Sequence, residues 1–315
     1  MFIGHFLAAF AIAASVAVWR GWPEERALAV GAVAGSFATL PDIDMLYAVV
    51  GLVGSLEGAF VTFDAFWAIA NEIHRGATHS LIVGVFAAIG FAAWRARDGY
   101  NSGAGTLGGL ILGGLVLIVT VVGGIAPGAV VAAFVLAGVG LVTFAERVGL
   151  GPRAVLGAGA LGLLSHPFGD VLAGPSPALF YPLLTESGLL NGQILLNPDP
   201  TLHLLSAFFI ELTIIWMGLL VVARLRGWRL KRHINRRAAL GVTYAGAVFA
   251  IPLPTVETAS PFVFTVLTVG FIGTPSRSDW REDRSIQLID AVATALAAIT
   301  LAAAAYTVTY LVLLG

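Results

Sequence analysis

The sequence has no cysteine and few charged residues, and both shortages restrict what the protein can be. Without cysteine there can be no disulfide and no thiolate metal site. Charged residues make up 11% of the 315 positions, against roughly 25% in an average soluble domain. Hydrophobic residues make up 58%, and apolar runs close to the length of a membrane-spanning helix recur along the chain. The composition therefore indicates an α-helical membrane protein.

Ten apolar segments are candidate spans, and they predict an all-α, polytopic bundle of about ten transmembrane helices. These segments cover residues 2–19, 27–50, 79–94, 106–123, 128–145, 154–173, 202–223, 238–254, 258–273 and 286–314. The stretch PLPTVETASP (252–261) between the eighth and ninth segments is also compatible with a re-entrant bend.

The basic residues are distributed unevenly between the connecting loops. If ten spans alternate, sixteen of the seventeen lysines and arginines lie on one side, and Arg75 is the exception. The positive-inside rule places that side in the cytoplasm, so both termini of this multi-pass plasma-membrane protein are predicted to be extracytoplasmic. Because Arg20 follows the first span, we expect a membrane anchor and not a signal peptide. The basic loop from Arg224 to Arg237 fits contact with anionic membrane lipid, and no nucleic acid is expected as a partner.

Histidines and aspartates from four distant segments collect at the outer membrane level in this topology. Carboxylates near the hydrocarbon are costly as bare charges, so they need protons or cations. Imidazoles and carboxylates without thiolates suit a divalent metal, above all Zn²⁺, and also Mn²⁺ or Fe²⁺. Seven side chains exceed the needs of one tetrahedral ion, so one or two ions are predicted. The predicted metal ligands are His5, Asp42, Asp44, His74, His79, His166 and Asp170.

Local spacing supports part of this set. His166 and Asp170 are four residues apart, so they share one face of a helix. Asp42 and Asp44 would point to nearly opposite sides of a regular helix, and both can serve one site only if the backbone is irregular there. Pro41 makes such an irregularity plausible.

The segment HRGATHS (74–80) needs a turn if both of its histidines are to reach one site. Gly76 is expected to permit that turn. Thr78 and Ser80 are placed to cap the helix that follows.

Four motifs in a fixed order resemble a known family, the membrane-bound metal-dependent hydrolases of the YdjM-like, LexA-regulated type. They are GH (4–5), LPDID (40–44), HRGATHS (74–80) and LSHPFGDVLAGPSPALFYP (164–182). The resemblance covers about residues 1–185, and residues 202–315 carry no matching motif. We therefore divide the chain into a metal-site membrane domain at 1–185 and a membrane extension of about four helices at 186–315. The family is remotely similar to zinc-dependent phospholipases C and fungal single-strand nucleases, which implies phosphoester hydrolysis.

The expected function is a membrane-embedded hydrolase that cleaves a phosphoester or lipid-like substrate with metal-activated water at the extracytoplasmic face. Arg75 is a catalytic candidate because its guanidinium could bind a phosphate and stabilise developing negative charge. Asp44 and His74 are the candidates for moving the proton. The substrate is expected to be a small or lipid-linked molecule. For Arg75, a salt bridge to Glu72 or to a site aspartate is an equal alternative.

Two other functions remain open from the sequence. An ion or metal transporter would need a polar path through the whole bilayer, whereas here the polar residues stop at the outer end. A non-catalytic protein could use a metal to staple its helices, although a structural zinc takes only four ligands. His203 at the start of the seventh span is a further candidate ligand, and His233 is expected to lie outside the site.

Overall fold

The structure is a computed structural model, and it describes residues 2–47, 74–98, 102–172, 176–184, 194–256, 258–275 and 284–313. These residues form helices, turns and loops and contain no strand, so the prediction of an all-α protein is confirmed. The chain divides into two compact units, Met1–Gln193 and Ile194–Gly315. The predicted domain boundary at 185/186 falls on residues outside the described ranges.

The described residues of the first unit form six α-helices, and two 3₁₀ segments carry predicted ligands. The α-helices are α1 (Phe2–Trp19), α2 (Glu24–Thr39), α3 (Leu81–Arg95), α4 (Ser102–Gly123), α5 (Ile125–Arg147) and α6 (Pro152–Asp170). The 3₁₀ segments are Leu40–Tyr47, directly after α2, and Ala77–His79, directly before α3.

Helices α1, α2 and α6 pack closely, and α3 packs against α4 and α6. The fully buried rings of Phe37, Phe91 and Phe134 contact one another in tilted pairs within the core of the unit, with centroids 5.5 and 6.1 Å apart. At Gly162 of α6, an added Cβ would lie 2.6 Å from the carbonyl oxygen of Ala34 in α2. The absence of a side chain at Gly162 therefore lets the backbones of α2 and α6 touch.

The backbone changes type where the sequence predicts an irregularity. Helix α2 ends at Thr39, and the chain continues as the 3₁₀ helix Leu40–Tyr47. Pro41 lacks the N–H that an α-helix would need at this point. The expectation about Asp42 and Asp44 is thus confirmed, because both project from the 3₁₀ helix.

The start of α3 is capped and tied to a distant loop. The hydroxyl of Ser80 accepts hydrogen bonds from the backbone N–H groups of Ile82 and Val83 and donates to the carbonyl of Tyr181 at 2.6 Å. The N–H of Leu81 donates to the carbonyl of Leu179. The predicted capping role of Ser80 is confirmed, and the loop 176–184 is held beside the HRGATHS segment.

The second unit contains α7 (Pro200–Leu225), α8 (Ser260–Thr268) and α9 (Arg284–Leu313). A long 3₁₀ helix, Arg236–Phe249, packs against α9 and occupies most of the predicted eighth span. His233, which precedes it, pairs with Asp290 of α9 at 2.6 Å between Nδ1 and Oδ1.

Four helices of the described residues are long and apolar enough to cross a membrane. They are Gly103–Gly123, Ile125–Arg147, Pro200–Leu225 and Ile286–Leu313. Shorter apolar helices lie at Ile3–Trp19, Leu81–Arg95 and Ser260–Gly273. A helical segment accompanies each predicted span, but the structure does not give ten transmembrane helices. Several segments are too short, or are 3₁₀ in part, as at Leu40–Tyr47 and Arg236–Phe249.

Candidate metal centre

The structure brings the seven predicted ligands together in the first unit. His5 and Asp170, 165 positions apart in the sequence, are in contact at 3.1 Å. Five of the seven side chains are buried, and the other two are half-buried. We call this set the His–Asp cluster: His5, Asp42, Asp44, His74, His79, His166 and Asp170.

The ring of His79 lies between two carboxylates. On its Nδ1 side, Asp44 Oδ2 lies at 3.3 Å and the Thr78 hydroxyl at 3.1 Å. That hydroxyl donates its proton to Asp44 Oδ2 at 3.0 Å, so it can only accept from His79. Both neighbours of Nδ1 are therefore acceptors, and Nδ1 carries the hydrogen. In the neutral ring, Nε2 is left with a lone pair, which faces Asp42 Oδ1 at 3.7 Å.

His166 has the same tautomer for a different reason. Its Nδ1 lies 2.6 Å from the carbonyl oxygen of Ala38. A carbonyl oxygen only accepts hydrogen bonds, so Nδ1 of His166 donates and Nε2 keeps its lone pair. The two Nε2 atoms of His79 and His166 lie 3.0 Å apart.

Two carboxylate oxygens join these nitrogens. Asp170 Oδ2 lies 3.1 Å from Nε2 of His79 and 3.2 Å from Nε2 of His166. Asp42 Oδ1 lies 3.4 Å from Nε2 of His166. Asp170 Oδ2 is fully buried, and none of the described residues donates a hydrogen bond to it. With both rings neutral, four electron-rich atoms converge with no hydrogen between them, an arrangement that a cation would stabilise.

The spacing of these four atoms fits a small divalent ion. Bonds of about 2.0–2.1 Å around tetrahedral Zn²⁺ place the ligand atoms about 3.3 Å apart. The separations that involve at least one imidazole nitrogen run from 3.0 to 3.7 Å. We call His79, His166, Asp170 and Asp42 the inner group.

Three overlapping sets of residues could hold a metal ion. They are His5 with Asp42 and His166, Asp42 with His74 and His79, and His79 with His166 and Asp170. Asp42 belongs to two sets, so it could serve two neighbouring ions. Among the described residues no set includes Asp44, whose oxygens face the Nδ1 atoms of His74 and His79 instead. The role of Asp44 as a direct ligand therefore stays a prediction.

The remaining members of the His–Asp cluster contact the inner group or one another. His5 Nε2 contacts Asp170 Oδ1 and leaves Oδ2 facing the other imidazoles. The His5 ring lies on the His166 ring with centroids 4.0 Å apart, and it fits there because Gly169 has no side chain. His74 Nδ1 pairs with Asp44 Oδ1 at 3.0 Å.

Arg75 occupies a backbone conformation that side chains seldom adopt. Its φ is +68°, whereas Gly76 has φ −85°. Gly76 combines this φ with a ψ of −129°, which residues with a Cβ seldom adopt, so the expectation that Gly76 permits the turn is confirmed, and Arg75 contributes to the same turn. The N–H of Arg75 donates to Asp44 Oδ2 and its carbonyl accepts from Ala178 N–H, and these bonds hold the strained residue in place. The alternative partner Glu72 lies outside the described residues.

Thr78 and the carbonyl of Ala38 are functional groups that sequence reasoning missed. Thr78 was expected to cap α3, but its hydroxyl instead links Asp44 to His79. The sequence feature that pointed to Thr78 is its position next to His79 in the motif HRGATHS. The carbonyl of Ala38 carries no side-chain signal at all.

The two other histidines belong to the second unit. The N–H of Leu196 donates to Nδ1 of His203. Neither His203 nor His233 belongs to any set of potential ligands found among the described residues. The candidacy of His203 as an additional ligand gains no support.

These features define an α-helical membrane protein with a buried His–Asp cluster that could hold a metal ion. The model of the YdjM inner membrane protein family matches residues 1–252, so the chain belongs to that family. No curated protein and no solved structure matches it. The resemblance seen in the motifs is confirmed, and the match extends past residue 185. The predicted extent of the resemblance, about residues 1–185, was therefore too short, because the family match ends at 252.

Proposed function

We propose that the protein is a membrane-embedded, metal-dependent hydrolase of a phosphoester or lipid-like substrate. The observation that carries the proposal is the convergence of two imidazole lone pairs and two carboxylate oxygens in the inner group. Imidazole and carboxylate ligands suit catalytic Zn²⁺, and also Mn²⁺ or Fe²⁺. When bound, such an ion supplies a water of lowered pKa and polarises the bond to be cleaved.

His74 and Asp44 are placed to move a proton. Their atoms Nδ1 and Oδ1 are 3.0 Å apart, and the His74 ring meets the His79 ring edge-on at a centroid distance of 5.0 Å. Asp44 fixes the orientation of the imidazole, which leaves His74 Nε2 as the base beside the inner group. His74 is only half-buried, so a substrate can approach it.

Arg75 supplies positive charge beside the cluster. Its left-handed backbone, held by Asp44 and Ala178, sets the direction in which the side chain leaves the chain. A guanidinium binds a phosphate through two parallel hydrogen bonds and stabilises charge that develops on its oxygens. The proposed role of Arg75 is therefore substrate binding and charge stabilisation.

Exposed apolar residues adjoin the cluster in the sequence and favour a substrate with an apolar part. Ile3 is 62% exposed, Leu46 60% and Phe168 55%, and they neighbour His5, Asp44 and Asp170 within two residues. A lipid-linked substrate could keep its chain in the membrane while its headgroup reaches the cluster. The distribution of basic residues supports a multi-pass topology in which the cluster faces the extracytoplasmic side. The basic loop from Arg224 to Arg237 then contacts anionic lipid.

A metal-stapled, non-catalytic protein is the second candidate, and the four atoms of the inner group favour it. Four protein ligands would close a tetrahedral shell and leave no position for water. Asp42 Oδ1, however, lies 3.4 and 3.7 Å from the two imidazole nitrogens, farther than Asp170 Oδ2 does. If Asp42 does not bind the ion, the fourth position is open to water, which favours the catalytic alternative.

The test uses the detergent-purified, full-length protein, stripped with chelator and reloaded with Zn²⁺ or Mn²⁺. Wild type and His74→Gln are assayed on aryl phosphodiesters and on mixed phospholipids. We expect metal-dependent turnover in wild type and a loss of about 100-fold or more in His74→Gln, with the ion of the inner group retained. A metal-loaded wild type that hydrolyses none of these substrates would contradict the proposal and favour the stapled protein.

A further inference from the structure

Thr78 is buried within the His–Asp cluster, on the side of His79 that faces away from the inner group. Its side chain is 4% exposed, and its hydroxyl contacts Asp44 Oδ2 at 3.0 Å and His79 Nδ1 at 3.1 Å. The 3₁₀ segment Ala77–His79 fixes its backbone through the bonds from His79 N–H to the carbonyl of Gly76 and from Ser80 N–H to that of Ala77.

The direction of these hydrogen bonds is determined by the groups involved. Asp44 Oδ2 accepts from the N–H of Arg75 and from the hydroxyl of Thr78. The single hydroxyl proton is then used, so the Thr78 oxygen presents only lone pairs to His79 Nδ1. Asp44 Oδ2 is farther from Nδ1, at 3.3 Å, than the Thr78 oxygen is.

We propose that Thr78 is a positioning residue that fixes His79 as the Nδ1–H tautomer, with the Nε2 lone pair directed into the inner group. The inference deepens the proposed function and rests on its metal-binding part. Partners on the far ring nitrogen set the tautomer and basicity of a ligating histidine, and their loss costs about 10–100-fold in metal affinity. His79 would differ from His166, whose tautomer is fixed by the backbone carbonyl of Ala38.

The first experiment measures metal affinity by chelator competition with full-length protein in detergent. Thr78→Val keeps the shape and removes the hydroxyl, and we expect its dissociation constant for Zn²⁺ to rise about 10–100-fold. Thr78→Ser restores the hydroxyl and should bind close to wild type. The matched control is Thr143→Val, whose hydroxyl donates to the carbonyl of Val139 in α5, and its affinity should be unchanged. Equal affinities of Thr78→Val and wild type would overturn the inference.

The second experiment needs neither metal nor activity. Ring ¹⁵N chemical shifts of histidine-labelled, metal-stripped protein report the tautomer at a pH high enough to keep the imidazoles neutral, and comparison with His79→Gln identifies the signals of His79. We expect the Nδ1–H form in wild type and in Thr78→Ser, and a mixture in Thr78→Val. An Nε2–H form of His79 in wild type would overturn the inference whether or not the variants fold.

The two experiments separate this inference from the proposed function. A wild type that binds no metal, but shows the expected tautomers, would reject the metal site and support the positioning by Thr78. A wild type that binds metal equally well with and without the hydroxyl would reject the role of Thr78 alone.

Discussion

Hydrogen-bond direction divides the His–Asp cluster into two layers. The inner group presents lone pairs to a common point, whereas His5 and Asp44 hold the inner side chains from behind. Asp44 contacts the outer nitrogen of His79 and not the one that faces His166. On the proposed function, its negative charge would orient His79 and strengthen its bond to the ion from the far side of the ring.

The two layers predict that replacing aspartate by asparagine has different effects on metal binding at Asp44 and at Asp170. Asp44→Asn should lower metal affinity by about 10–100-fold and keep the binding stoichiometry, because Asp44 acts through His79. Asp170→Asn should abolish stoichiometric binding, since Asp170 Oδ2 lies within 3.2 Å of both inner imidazoles. Metal titration of both variants measures the difference. Loss of all metal in Asp44→Asn would show that Asp44 is a direct ligand.

Arg75 allows backbone strain and side-chain function to be separated. Its φ of +68° is costly for any residue with a Cβ and not for glycine. Arg75→Gly should therefore be more stable than Arg75→Ala by about 1 kcal/mol, while both lose the guanidinium. Chemical unfolding in mixed micelles compares them. Equal stabilities would contradict a left-handed Arg75, and full turnover in either variant would contradict its proposed role with substrate.

At the scale of helices, local rules account for part of the cluster. The spacing of His166 and Asp170 predicted a shared face, and Pro41 predicted the break that lets Asp42 and Asp44 serve one site. Both follow from neighbours within a few residues. The left-handed Arg75 and the role of Thr78 could not be predicted in this way. Each depends on Asp44, more than 30 positions earlier, and Arg75 also depends on Ala178.

The contact between α2 and α6 is expected to control the metal site. An added Cβ at Gly162 would lie 2.6 Å from backbone atoms of Ala34 and Ala38, and Ala38 holds His166. Gly162→Ala should separate the helices, lower metal stoichiometry and reduce the melting temperature. Gly157→Ala, on the same helix, is the matched control, because an added Cβ at Gly157 would meet no neighbouring atom within 4 Å. A Gly162→Ala variant with full metal content would contradict this coupling.

At the scale of the whole molecule, the amino-acid composition correctly predicted an all-α membrane protein. The apolar segments, however, predicted more transmembrane spans than the described part of the structure has. An all-α membrane protein follows from 58% hydrophobic residues and from the long apolar runs. An apolar run does not reveal whether its backbone is α-helical. The residues of the predicted eighth span are therefore apolar enough for a span, yet they form the 3₁₀ helix Arg236–Phe249.

The absence of cysteine makes the proposed orientation directly testable. Ile125, 85% exposed at the start of α5, and Arg229, exposed in the basic loop, are suitable single-cysteine positions. An impermeant maleimide should label Ile125→Cys in sealed right-side-out vesicles, and Arg229→Cys only after permeabilisation. The opposite pattern would place the His–Asp cluster on the cytoplasmic side.

The central claim is that distant segments form one metal centre, and the most direct test is the metal content of the detergent-purified protein. Mass spectrometry should find stoichiometric Zn²⁺, Mn²⁺ or Fe²⁺ in wild type, and its loss in both Asp42→Ala and His166→Ala. His203→Ala, which removes a buried histidine of the second unit, should keep the metal. A wild type that remains free of metal after dialysis against each ion would contradict the claim, and the cluster would then be better explained as a relay for protons.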